Sequence, residues 1–140
     1  MAAIEYSVRV AITDAIHLYY HLVDSGQASQ VAGLFAPGGS LTFGPGSPKP
    51  GTIEGRAIAD AMRAREAQTS AFTRHAVTNI VLTGIDTDSV SARHMLILFR
   101  SDDASRSTLP TFVADVEDRW VRSGDAWTLA ERTILPSFAA

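Results

Sequence analysis

Residues 4–26 read IEYSVRVAITDAIHLYYHLVDSG. Ile4, Val8, Ile12, Ile16 and Tyr20 recur every four residues, and Tyr19 and Val23 widen the stripe. That period predicts one long amphipathic helix. No proline or glycine interrupts it before Gly26, a good stop signal because glycine enters the left-handed conformation that closes helices. Asp24 continues the same series, so a carboxylate lies at the end of an apolar stripe. Such a group is either partly buried with a partner or just past the helix end in water. A negative charge at a helix C-terminus is mildly unfavourable, which weighs against the solvated reading.

Downstream, a second short helix is expected from Gln27 to Phe35, broken by Ala36-Pro37-Gly38-Gly39. Ser40 to Phe43 reads as a short strand. Residues 44–54 hold Gly44, Pro45, Gly46, Pro48, Pro50 and Gly51, the composition of a loop and, by its length, of a pocket rim or lid. Gly55 to Gln68 reads as a third helix with Ile58 and Met62 facing inward. After Ser70 the period changes to two. Four β segments follow, at about 72–83, 89–100, 109–122 and 126–135, with turns at Gly84-Ile85-Asp86-Thr87-Asp88 and Ser123-Gly124-Asp125. Helices first and strands second predict an α+β fold rather than a doubly wound parallel sheet. A curved, mostly antiparallel sheet wrapped around the long N-terminal helix, with two further helices, would enclose a cone-shaped cavity.

The 140 residues suit a single domain, 1–140, with no linker or internal repeat. Folding at that length buries roughly two-thirds of the unfolded chain's surface. The formal net charge of −3 suggests neither a nucleic-acid nor a membrane partner. There is no cysteine, which excludes disulfides, thiolate metal sites and a cysteine nucleophile and fits a cytoplasmic protein. With Glu5, Arg9 and Asp14 among its apolar residues, the N-terminal stretch is not expected to be a signal peptide. No apolar run approaches the roughly 20 residues that span a bilayer.

Several side chains could carry chemistry. His75 and Asn79 flank Val77 on one expected strand, and a strand's period of two puts all three on one face. On a concave face, His75 would be a general base, since imidazole titrates near neutral pH; the plainer reading is a hydrogen-bonded structural histidine. His94 lies between Ala92 and Leu96 in the alternating series that ends at Leu98. Two inward histidines without a third ligand at a telling spacing do not make a metal site, and none is expected. Asp115 and Glu117 share a face with Val113 and read as a solvated outer face or as a second pocket carboxylate. Phe112, Val116 and Trp120 form a stripe that, if outward, would be covered in a homodimer. Arg100 and Asp102 stand two apart, an arrangement some epoxide-opening enzymes use, but the polar stretch 102–107 makes a surface pair the simpler reading. No dinucleotide, phosphate-loop or Gly-x-Ser-x-Gly signature occurs, and no cofactor is announced.

Tyr19-Tyr20-His21-Leu22-Val23-Asp24-Ser25-Gly26, then Leu34-Phe35-Ala36-Pro37 and Leu41-Thr42-Phe43, resemble the opening of SnoaL-like domains. Gly55-Arg56-Ala57-Ile58, Thr73-Arg74-His75-Ala76-Val77-Thr78-Asn79, Asp118-Arg119-Trp120 and Trp127-Thr128-Leu129 continue the likeness in order along nearly the whole chain. The chain thus resembles the SnoaL-like and scytalone-dehydratase-like branch of the nuclear-transport-factor-two-like superfamily. The resemblance implies a cone-shaped α+β barrel with a hydrophobic pocket. It also implies an Asp24–His75 pair, joined by Tyr19 as in steroid-dehydratase-like relatives, whereas helical spacing alone pairs Tyr20 with Asp24. Against scytalone dehydratase itself, Val23 and Phe43 stand where that enzyme has tyrosines, Arg100 falls near the place of its second catalytic histidine, and Asp115 and Glu117 stand in place of a serine and an asparagine.

The expected function is that of a cofactor-independent lyase or isomerase, of dehydratase or cyclase type, acting on a small apolar hydroxy-carbonyl metabolite. Asp24, His75 and Tyr19 would be catalytic; Asn79 and His94 would orient the substrate, and Phe43, Leu96 and Leu98 would exclude water. The alternative is a non-catalytic protein that binds a small hydrophobic ligand. The only partners expected are that small molecule and a second copy of the chain.

Overall fold

A computed structural model describes residues 2–103, 105–106 and 108–139, so Ala104 and Ser107 of the polar stretch lie outside the described residues. The long helix α1 spans Tyr6–Asp24 and buries Val8, Ile12, Ile16, Tyr19, Tyr20, Leu22 and Val23, the stripe expected from the four-residue period. It stops where Gly26 takes a φ of 79°. The second helix is a 3-10 segment, α2, at Ala28–Leu34. The third, α3, spans Arg56–Ala67 and buries Ile58 and Met62.

Six strands follow the order β2-β1-β6-β5-β4-β3 in one sheet. They are β1 (Phe35–Phe43), β2 (Gly51–Glu54), β3 (Phe72–Asp86), β4 (Ser89–Ser101), β5 (Phe112–Ser123) and β6 (Ala126–Ala139). All neighbours run antiparallel except β1 with β6. The sheet curves around α1 but does not close, since β2 and β3 are its two edge strands. The architecture is therefore an α+β open cone rather than a complete barrel.

Two expectations for residues 36–54 change. Residues 51–54, expected as loop, form β2, because Thr52 and Ile53 pair with Thr42 and Leu41 across an antiparallel ladder. The Ala36-Pro37-Gly38-Gly39 breaker does not end an element. It bulges out of β1, so that Phe35 faces Leu129 while Ser40 already faces Glu131.

The concave face carries the core. One row runs Leu41–Arg132–Asp118–Ala92–Leu82 across β1, β6, β5, β4 and β3. A row nearer the open end runs Phe112–Leu98–His75. Ala114, Val116 and Trp120 are fully buried on this face, while Asp115 and Glu117 are exposed on the other. The outward solvated reading of those two acids holds. The stripe containing Val116 and Trp120, however, is buried in the same core cluster as the apolar face of α1 and offers no surface to a second copy, because period two puts it on the concave side. No helix among the described residues is long and apolar enough to cross a membrane.

Candidate functional site

The C-terminus of α1 delivers Asp24 to the start of β3. Asp24 Oδ1 stands 2.6 Å from His75 Nδ1, and Oδ2 accepts the His75 backbone N–H at 2.8 Å. Thr73, two residues earlier on the same face, donates its hydroxyl to Oδ1 at 2.8 Å. Burial by itself would raise the Asp24 pKa. The ring hydrogen bond and charge of His75, its backbone N–H and the Thr73 hydroxyl outweigh burial and hold it below the ordinary carboxylate value. An ionised Asp24 accepts a proton on Nδ1, which leaves the lone pair of His75 on Nε2. No hydrogen bond occupies that Nε2 among the described residues. The two side chains are 12% and 14% exposed for His75 and Asp24, so the pair lies just within reach of solvent at the open end of the cone.

Tyr20, one turn before Asp24, stacks on His75 with ring centroids 5.1 Å apart and planes at 28°. Its hydroxyl meets His94 Nε2 at 2.8 Å. Tyr19 turns the other way, against Phe35 and under the Arg132 guanidinium, whose Cζ is 4.1 Å from the ring centroid. Both tyrosines are buried, and burial raises the pKa of each, so both hydroxyls stay protonated.

His94 is buried on the inner face, as its alternating neighbours predict, with Nδ1 lacking a partner among the described residues. Burial, reinforced by the positive charge of Arg132, pushes its pKa down to about 4, so it is neutral near pH 7. Leu96 is buried, and Phe43 and Leu98 are half-buried. Asn79 is not on that face. It is exposed with a φ of 56°, and its Nδ2 donates to Met95 Sδ at 3.4 Å on the convex side. The register of β3 against β4 slips between Thr78 and Val81, and this bulge breaks the alternation that had grouped Asn79 with His75.

The interior holds an ion pair that motif reading did not reveal. Arg132 Nε and Nη2 each donate to a different oxygen of Asp118 at 2.8 Å, and Trp120 Nε1 donates to Asp118 Oδ2 at 3.2 Å. Both charged side chains have no exposure at all. Period two did carry a signal, since Asp118 shares the inward parity of Ala114, Val116 and Trp120. The space next to α1 is therefore filled by tyrosine rings and this pair rather than left as an apolar void. Arg100 and Asp102 form a surface pair at 2.8 Å with Asp102 70% exposed. A groove of about 330 Å³ opens between α2, β1 and α3, lined by Phe35, Pro37, Gly38, Arg56 and Ile58, and does not include Asp24 or His75. No group of three or more metal-ligating side chains occurs among the described residues.

This helix-and-cone arrangement places the chain among known proteins. The SnoaL-like domain family matches residues 5–133, and the chain belongs to that family. Its fold is similar to that of an NTF2-like protein with a cystatin-like fold from Novosphingobium aromaticivorans, at 23% identity and a TM-score of 0.76 over 92% of this chain and 81% of the other. It is also similar to the β subunit of a provisionally assigned aromatic-ring-hydroxylating dioxygenase of the same organism, at 22% identity and a TM-score of 0.80, covering 96% and 92% of the two chains. A third likeness is to a protein provisionally assigned as a scytalone dehydratase, again from N. aromaticivorans, at 15% identity and a TM-score of 0.76 over 94% and 85%. Identities this low establish the fold alone. No curated protein matches the chain.

Proposed function

We propose that the chain is a cofactor-independent lyase or isomerase of dehydratase or cyclase type, acting on a small apolar hydroxy-carbonyl compound through Asp24 and His75. The observation that carries this reading is the 2.6 Å contact between Asp24 Oδ1 and His75 Nδ1, with Nε2 left without a hydrogen bond among the described residues at the open end of the cone. Nε2 would take the proton next to the substrate carbonyl and return it to the departing hydroxyl, which leaves as water. Asp24 fixes the tautomer and faces the imidazolium formed in between. Tyr19, expected as the polarising hydroxyl, is turned away from His75 against Phe35 and Arg132, so this reading gives it no contact with a substrate at Nε2; Tyr20 is the tyrosine that meets the His75 ring. The Tyr20 hydroxyl is already engaged by His94, which makes His94 a support for the ring stacked on His75. Phe43, Leu96 and Leu98 line the approach.

The test is a screen of apolar β-hydroxy-ketones for turnover, repeated with Asp24→Asn and His75→Gln. Loss of a positioned general base lowers the rate by about 10²–10⁴; full turnover by both variants rejects the reading. A second reading, binding without conversion, draws support from the separate groove lined by Phe35, Pro37 and Ile58. It predicts ligand retention that His75→Gln leaves intact. Association into a homodimer belongs to the same proposal. With Trp120 turned inward, it rests on convex-face residues such as Phe138, which is 73% exposed beside Val113. A mass that stays monomeric by light scattering at every concentration removes it.

A further inference from the structure

We infer that Thr73 and Arg65 form a positioning relay that orients the Asp24 carboxylate toward the His75 ring. The inference rests on the proposed role of the Asp24–His75 pair and names the groups that hold it. Arg65 Nη2 donates to Thr73 Oγ1 at 3.0 Å, and Thr73 Oγ1 donates to Asp24 Oδ1 at 2.8 Å. A hydroxyl has one proton and two lone pairs. With an arginine donating into the oxygen, a lone pair is occupied and the single proton is directed to the carboxylate. The Oδ1 that receives it is the same oxygen that meets His75 Nδ1.

Three donors from residues 73–75 of one strand, a hydroxyl, a backbone N–H and a ring nitrogen, thus converge on the two oxygens of Asp24. That number over-determines the plane of the carboxylate. Thr73 is 3% exposed, so water does not compete readily for its hydroxyl. Arg65 is itself placed by its neighbour. Glu66 Oε1 accepts from the Ser29 hydroxyl at 2.8 Å and from the Ser29 backbone N–H at 3.2 Å, which ties the end of α3 to α2. The charged groups facing this cluster are His75 on β3 and Arg65 on α3, with Arg100 on β4 and the exposed Asp102 beyond Arg65. Orientation of a base by a further hydrogen-bonded shell is a general requirement of acid–base sites.

The relay is tested without a substrate, by following the Asp24 carboxyl carbon and the His75 ring nitrogens by NMR titration of the free protein. Thr73→Val and Arg65→Met are each expected to raise the Asp24 pKa and to convert His75 from the Nδ1–H tautomer to a mixture. Thr73→Ser and Arg65→Lys are expected to restore both signals. Rescue by the conservative variants separates orientation from mere packing. If Thr73→Val unfolds the protein, the half-buried Arg65 still carries the test. Unchanged Asp24 and His75 signals in a folded Arg65→Met variant overturn the relay, whatever His75→Gln does to turnover. Shifted signals with turnover unaffected by His75→Gln would instead uphold the relay and reject the catalytic role of the pair.

Discussion

At the level of single residues, the Asp118–Arg132 pair and His94 decide more than their places in the sequence suggest. Two opposite charges with no exposure are worth little together, but either one alone is costly. Arg132→Met should therefore lower the unfolding free energy by about 3–5 kcal/mol, read from urea denaturation. The double variant Arg132→Met with Asp118→Leu should recover much of that loss. A single variant no worse than the double would show that the buried carboxylate finds another partner.

For His94 the sign follows from its folded pKa of about 4 against an ordinary 6.5. Between those values the unfolded chain binds a proton that the folded protein refuses. The stabilisation is complete above pH 6.5 and falls as acid is added, by up to about 3 kcal/mol at pH 4. Asp24 adds a separate loss at lower pH, since its folded pKa is depressed and its contribution disappears only as pH falls through that value. Thermal unfolding of the wild type and of His94→Gln across pH 4–7 measures the first effect. The variant should show a flatter profile in that window, and a parallel profile would place the acid sensitivity elsewhere.

At the level of elements, β3 is where a regular pattern and the folded chain part company. A strict alternation carries His75 and Val77 inward, and the bulge at Asn79 then shifts the parity so that Ile80 and Leu82 are the half-buried residues that follow. The cause is backbone conformation, a φ of 56° that asparagine tolerates better than most residues. Asn79→Gly should leave stability almost unchanged, whereas Asn79→Val should cost about 1–2 kcal/mol. Equal stability of the two variants in denaturant titration would argue that the bulge relaxes. The far end of β3 holds the chain start through Gly84, whose N-terminal partner Ala2 donates its N–H at 3.1 Å. A methyl group added at Gly84 would lie 2.2 Å from the Ala2 carbonyl oxygen. Gly84→Ala is expected to release that bridge, with faster amide exchange at Ala2 and little change in the core.

For the molecule as a whole, the open cone places the Asp24–His75 pair at one end. The last turn of α1, the first residues of β3 and the inward row Phe112–Leu98–His75 meet at the open end, while Trp120, Arg132 and Tyr19 fill the interior behind them. On the proposed reading, a substrate would approach His75 Nε2 from that end, because the space behind it is occupied by side chains. An apolar ligand that binds there should shift the resonances of the His75 ring and the Leu98 methyl groups. It should leave the Phe35–Ile58 groove unaffected, and the reverse pattern would favour the binding reading.

What the sequence determined by itself is the part governed by local periodicity. The four-residue recurrence from Ile4 to Tyr20 gave α1, the change to period two after Ser70 gave the strands, and the order of these elements gave the α+β class. The same periodicity, joined to the family likeness, also set Asp24 and His75 apart. Which tyrosine meets His75 was settled by three-dimensional packing, because adjacent residues on a helix differ by about 100° and both Tyr19 and Tyr20 fall within the buried arc. The fate of Asn79 also lay beyond the sequence, since a bulge is set by pairing with β4. So did the Asp118–Arg132 pair, whose partners are 14 residues apart in the chain and adjacent only across two strands. Periodicity assigns each residue to a face, but the pairing of faces is a long-range property that arises when the sheet curves around the helix.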